Sequence, residues 1–113
     1  MKQYTLELVT ITNDDFPNGF RFDELMEAVI LNTPPNGMPS AEVIKCSTIY
    51  FDFKKAKESL NGVASGWAWR ISPEDYQFVK KQLADMKWAL TPRTVRVIRQ
   101  FIDSMNDAKE GTV

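Results

Sequence analysis

The chain has no histidine, and that absence removes the commonest general base and the commonest zinc ligand. It has a single cysteine, Cys46, so no intrachain disulfide can form. A reducing compartment therefore fits better than a secreted, disulfide-stapled one. With one thiol and no imidazole, a zinc site would need carboxylates almost alone. No stretch approaches the roughly 20 apolar residues of a membrane span. Nothing of signal-peptide type follows Met1-Lys2-Gln3-Tyr4. The five glycines, Gly62 and Gly66 among them, form neither of the fingerprints that cradle phosphates. An excess of one charge is also missing: 14 basic and 15 acidic side chains give a net charge of -1. A surface devoted wholly to nucleic acid would be basic. These absences lead us to expect a cytosolic, non-enzymatic protein with no cofactor and no metal.

What is present suffices for one domain over residues 1–113, since 43% of the side chains are apolar. A chain of 113 residues leaves little stability to spare, and burying further apolar surface in a homo-oligomer would suit it.

Tyr4 to Thr12 alternates apolar and polar residues and predicts a strand, so that residues 1–12 form an N-terminal strand segment. The cluster Asn13-Asp14-Asp15-Phe16-Pro17-Asn18-Gly19 predicts a turn. A first helix is expected from about Asp23 to Leu31, with Asp23, Glu24 and Glu27 at its positive end and Leu25, Met26, Val29 and Ile30 on its apolar face. Pro34 and Pro35 stop it.

Ala41 to roughly Leu60 is read as a second helix. Pro39-Ser40 caps it, Asn61-Gly62 stops it, and Lys54, Lys55 and Lys57 suit its C-terminal end. Its expected inner stripe is Val43, Cys46, Tyr50, Phe53 and Leu60. Val43, Ile44, Thr48, Ile49, Tyr50 and Phe51 favour strands, so residues 43–53 stay open between helix and strand on sequence alone. Val63 to Gly66 reads as loop. Trp67, Trp69 and Ile71 alternate with Ala68 and Arg70, giving a short strand able to pair with the first.

Ser72-Pro73-Glu74-Asp75 carries an N-cap, a first-turn proline and an acid, and opens a third helix marked by Tyr76, Val79, Leu83 and Met86. Thr91-Pro92 repeats the signal before a fourth, marked by Val95, Ile98, Ile102 and Met105, with Phe101 beside them. Residues 106–113 are polar and expected to fray. The fold class expected is α+β, mostly α: four helices with a small two-stranded antiparallel ribbon.

Arg93, Arg96 and Arg99 recur every three residues, with Lys87 just before them and no acid between Met86 and Ile102. A helix, a short turn at Trp88-Ala89-Leu90 and an Arg-striped helix outline a helix-turn-helix, whose arginines would contact phosphates or guanine edges. A solvated helix face explains the same pattern without DNA. Asp23, Glu24 and Glu27 could pair as acid and base, but first-turn acids need no such role. Cys46 has no histidine to activate it and falls on the apolar stripe, where a core role suits it. Trp67, Trp69 and Trp88, with Tyr76, could serve the core or, where exposed, a partner.

Several segments together resemble small uncharacterised proteins of tailed bacteriophages and prophages. They are Phe22-Asp23-Glu24-Leu25-Met26-Glu27-Ala28-Val29 running into Asn32-Thr33-Pro34-Pro35, a charged helix, Ile71-Ser72-Pro73-Glu74-Asp75-Tyr76 with Val79-Lys80, and Phe101-Ile102-Asp103. The resemblance runs from Phe20 to Met105 and lies in caps, stops and core spacings. It implies phage origin and a non-enzymatic role, in the host cytoplasm or the virion, and supplies no catalytic residues. The expected function is a phage-type protein-interaction module, in virion assembly or in binding a host protein, and able to form a homo-oligomer. Its expected contacts are Trp67, Trp69, Trp88, Arg93, Arg96 and Arg99. The alternative is a helix-turn-helix DNA-binding regulator using the Arg stripe. No membrane partner is expected.

Overall fold

The computed structural model describes residues 2–60 and 66–112. The elements in chain order are β1 (Lys2–Ile11), β2 (Phe20–Arg21), α1 (Phe22–Ile30), α2 (Ser40–Glu58), β3 (Gly66–Ile71), α3 (Pro73–Asp85), α4 (Val95–Asn106) and β4 (Lys109–Thr112). The Asn61-Gly62 stop and the loop at 63–65 lie outside the described residues.

β1 is the hub of a four-stranded antiparallel sheet. It pairs with β3 from Tyr4↔Ile71 to Val9↔Gly66. It pairs with β4 from Lys2↔Thr112 to Thr5↔Lys109, and with β2 at Thr10↔Arg21 and Ile11↔Phe20. The expected mostly helical domain with a two-stranded ribbon is thereby corrected. β2 is two residues long, too short for alternation to show. β4 is polar and borrows its order from β1. The Tyr4 hydroxyl donates to Glu110 Oε2 at 2.8 Å, and Lys2 Nζ lies 3.3 Å from Oε1. These contacts hold the Glu110 carboxyl below its ordinary pKa, Tyr4 contributing most. Residues 109–112, expected to fray, are thus a paired strand.

The pleat sorts β1 and β3 into two faces. Leu6, Leu8, Trp69 and Ile71 are buried, whereas Glu7, Ala68 and Arg70 are exposed. Gly66 sits opposite Val9 with φ +122, and a Cβ there would come within 2.7 Å of the Val9 Cα, so only glycine fits.

Phe22, Met26, Val29 and Ile30 of α1 and Tyr76, Val79 and Leu83 of α3 join the buried sheet residues in one core. The Ser72 Oγ accepts from the Asp75 amide at 3.2 Å, and Pro73 fills the first turn of α3, as the local sequence signals. Gln82 is buried and donates from Nε2 to the carbonyls of Ile30 at 3.1 Å and Asn32 at 2.7 Å. It thereby serves carbonyls left over where α1 ends. The Tyr76 ring stacks on Tyr4 at 4.0 Å, and its hydroxyl donates to the Met105 carbonyl at 2.7 Å. Tyr76→Phe would leave that buried acceptor short of a donor. We expect it to lower stability by about 1–2 kcal/mol in a urea titration.

α4 is rotated from the expected stripe. Val97, Ile98, Phe101 and Met105 are buried, while Val95 is exposed and Ile102 half-buried. Both stripes have helical spacing. The bulk of Phe101 decides between them, because its ring meets Phe22 at 5.3 Å and Trp88 at 6.2 Å.

Candidate interaction surface

Residues 43–53, open between helix and strand on sequence, lie within α2. The helix keeps β-branched and aromatic residues because it is apolar on more than one side. Its inner stripe is Cys46, Ile49 and Phe53, all buried. Val43 and Tyr50, expected on that stripe, are exposed and half-buried respectively. Ile49 takes the inner place instead. The Phe53 ring lies 5.5 Å from Trp67 and 5.1 Å from Trp69, fixing α2 on the sheet.

Polar clamps fix its rotation. On the α1 side, Glu27 Oε1 accepts from the Tyr50 hydroxyl at 3.3 Å and lies 3.1 Å from Lys54 Nζ. The Cys46 thiol donates to the Ile30 carbonyl at 3.1 Å, and burial pushes its pKa up, the reverse of an activated nucleophile. On the α3 side, Glu42 meets Lys81 at 3.3 Å. Near the end of the helix, Lys57 approaches Asp23 at 3.8 Å.

With both flanks held, Ala41, Ile44, Thr48, Phe51 and Lys55 must point outward, and all five are exposed. Their spacing alternates three and four residues, which is the spacing of a helix–helix seam. Ile44 is 67% and Phe51 68% exposed, the two most exposed of the large apolar side chains described. Beside the seam lies a groove of about 300 Å³ lined by Leu31, Met38, Val43, Cys46 and Tyr50, with Thr33 and Ser47. Of the six exposed large apolar side chains among the described residues, Leu31 and Val43 line this groove, and Ile44 and Phe51 lie on the seam. Large grouped apolar exposure is a feature that partner-binding surfaces share. The Ser47 and Thr48 hydroxyls both donate to the Ile44 carbonyl at 2.9 Å, so neither needs a partner if it is covered.

The residues expected to make contacts are dispersed. Trp69 is buried in the core, and its Nε1 has no partner among the described residues. Trp67 is half-buried, stacked on Phe53, and its Nε1 points to Asp23 Oδ2 at 3.4 Å. Trp88 is half-buried against Phe101. Arg93 precedes α4, lies over the Phe16 ring at 5.0 Å and donates to the Asp15 carbonyl. Arg96 faces a polar hollow shared with Asn13, Asp14 and Asp15. Arg99 pairs with Asp103 one turn on, at 3.3 Å. The three arginines therefore do not form one free cationic stripe. The connection between α3 and α4 runs over residues 86–94, longer than the roughly three or four residues of a helix-turn-helix turn. Thr91 and Thr94 close its last part by reciprocal amide–hydroxyl hydrogen bonds at 3.0 and 3.3 Å.

The acids of α1 also part company. Asp23 is buried among Arg21, Trp67 and Lys57, Glu27 is clamped to α2, and Glu24 is exposed. Among the described residues no cluster of His, Cys, Asp or Glu could hold a metal ion. No described helix is long and apolar enough to cross a membrane. No protein-family model, curated protein or solved structure matches the chain.

The sequence did contain a signal for the outward seam. Ile44 and Phe51 are seven residues apart, two helical turns, and neither falls on the inner stripe. Read as strand propensity, they hid a second apolar face.

Proposed function

We propose that the chain is a non-enzymatic, phage-type protein-interaction module that docks a partner helix on the outer face of α2, in virion assembly or on a host protein. The observation that carries this reading is the exposed seam of Ala41, Ile44, Thr48, Phe51 and Lys55 beside an apolar groove. Covering such a surface removes apolar area from water, the main favourable term in association. The phage context rests on the sequence resemblance, and residence in the host cytoplasm or the virion goes with it. Contact residues are thereby moved from the tryptophans and arginines to α2.

The test is a photo-crosslinking side chain at position 51, with a control at the exposed position 74 of α3. In an extract of infected host cells, protein adducts are expected from position 51 and not from position 74. No adduct at 51, or equal labelling at both, would remove the basis of this reading.

A further inference from the structure

We propose that the partner this face accepts is a second copy of the chain, joined by antiparallel, two-fold packing of α2 on α2. The inference rests on the reading of α2 as the docking face and names its occupant. Lys45 and Asp52 are exposed at the edge of the seam, and among the described residues neither makes a salt bridge. Consider two copies of α2 crossing antiparallel, with the two-fold axis between residues 48 and 49. Lys45 then lies beside Asp52 of the other copy. The two-fold repeats that pairing, as an isologous interface requires. A parallel pairing in register sets Lys45 against Lys45 and Lys55 against Lys55, which repels. The antiparallel arrangement also sets opposite ends of the two helix dipoles together.

The same register interlocks the seam. Ile44 falls between Phe51 and Lys55 of the other copy, and Phe51 falls between Ile44 and Thr48. Each large apolar side chain thus enters a gap rather than meeting a knob, as helix packing demands. The crossing point falls on the smaller side chains of Ser47 and Thr48, whose hydroxyls are already satisfied within their own helix. Burying them leaves no orphaned polar group. α2 spans 19 residues, about 28 Å, long enough to carry the seam and the two symmetry-related Lys45–Asp52 pairs.

Sedimentation equilibrium of the whole chain across a concentration series tests the proposal. Wild type is expected to reach twice the single-chain mass, and Phe51→Glu is expected to stay monomeric while keeping its helical circular dichroism. Lys45→Glu alone and Asp52→Lys alone are each expected to weaken association. The double variant is expected to recover it, because the two charges simply exchange across the two-fold. A wild type that remains monomeric at every concentration overturns the proposal. So does a dimer indifferent to Phe51→Glu, or one that the charge swap fails to restore. The broader reading is judged separately: a monomer whose position 51 still crosslinks to another protein loses the self-association and keeps the docking face. A monomer without such adducts loses both.

Discussion

Replacing Phe53 with alanine is expected to destabilise the fold by about 3–5 kcal/mol, the range for emptying a fully buried aromatic site. Phe53 is 0% exposed and touches both Trp67 and Trp69. Only Cys46 and Ile49 otherwise bury α2 side chains fully in the core, and Cys46 is small. Losing the ring should therefore loosen α2 as a unit rather than trim one contact. Urea titration followed by tryptophan fluorescence would report the loss, since two of the fluorophores flank the ring. Hydrogen exchange should speed up first at the α2 amides. The internal control is Phe51, the same residue type two positions along and 68% exposed. At concentrations that keep the chain monomeric, Phe51→Ala should shift stability by no more than about 0.5 kcal/mol. Equal costs at 51 and 53 would mean that α2 does not turn Phe53 inward and Phe51 outward.

The second large effect is expected at Asp23. Its side chain is only 4% exposed, and it gathers the Arg21 guanidinium at 2.6 Å, the Trp67 Nε1 at 3.4 Å and Lys57 at 3.8 Å. Burial alone would push this carboxyl up. The hydrogen bonds from Arg21 and Trp67 and the charge of Lys57 outweigh burial, and its pKa lies below the ordinary aspartate value. Asp23→Ala would strand three donors at once. Arg21 and Lys57 can partly reach water, so we expect a loss of about 2–3 kcal/mol, below that for a wholly enclosed pair. The pH dependence has a definite sign. A folded-state pKa lowered below the unfolded value of about 3.9 contributes stability that is fully present above that pH. It is lost as pH falls through the folded value. Stability of Asp23→Asn should lack this acid-side loss, so the gap between wild type and variant should narrow below about pH 4. A gap that stays constant between neutral pH and strong acid would show that Asp23 is not held as a paired carboxylate.

The elements most legible in the sequence were those whose signals are local. Ser72-Pro73 marked the start of α3 because an N-cap and a first-turn proline act within four residues. Cys46 and Phe53 were placed inward by helical spacing, and that spacing needs no knowledge of the rest of the chain. What escaped depends on distant partners. Lys109 to Thr112 has no strand pattern of its own and is ordered by β1, more than 100 residues away, as the Tyr4–Glu110 hydrogen bond shows. Asp23 reads as an ordinary first-turn acid, and only the fold brings Lys57 and Trp67 to it. Trp69 and Trp88 are indistinguishable as letters, yet one is core and the other a half-buried flank. The candidate surface was missed for a different reason. Two apolar faces on one helix cancel in any periodicity count, so α2 looked ambiguous where it was doubly committed.

The central position of β1 shapes how the molecule assembles as well as what it looks like. Apart from its short pairing with β2, every partner of that strand arrives from far along the chain. Closing those loops is entropically expensive before any ladder bond rewards it. The helices can flicker into place early, but the sheet that orders them must wait for a long search. A chain that is half helix by content is therefore expected to fold more slowly than a simple helical bundle, whose contacts are local.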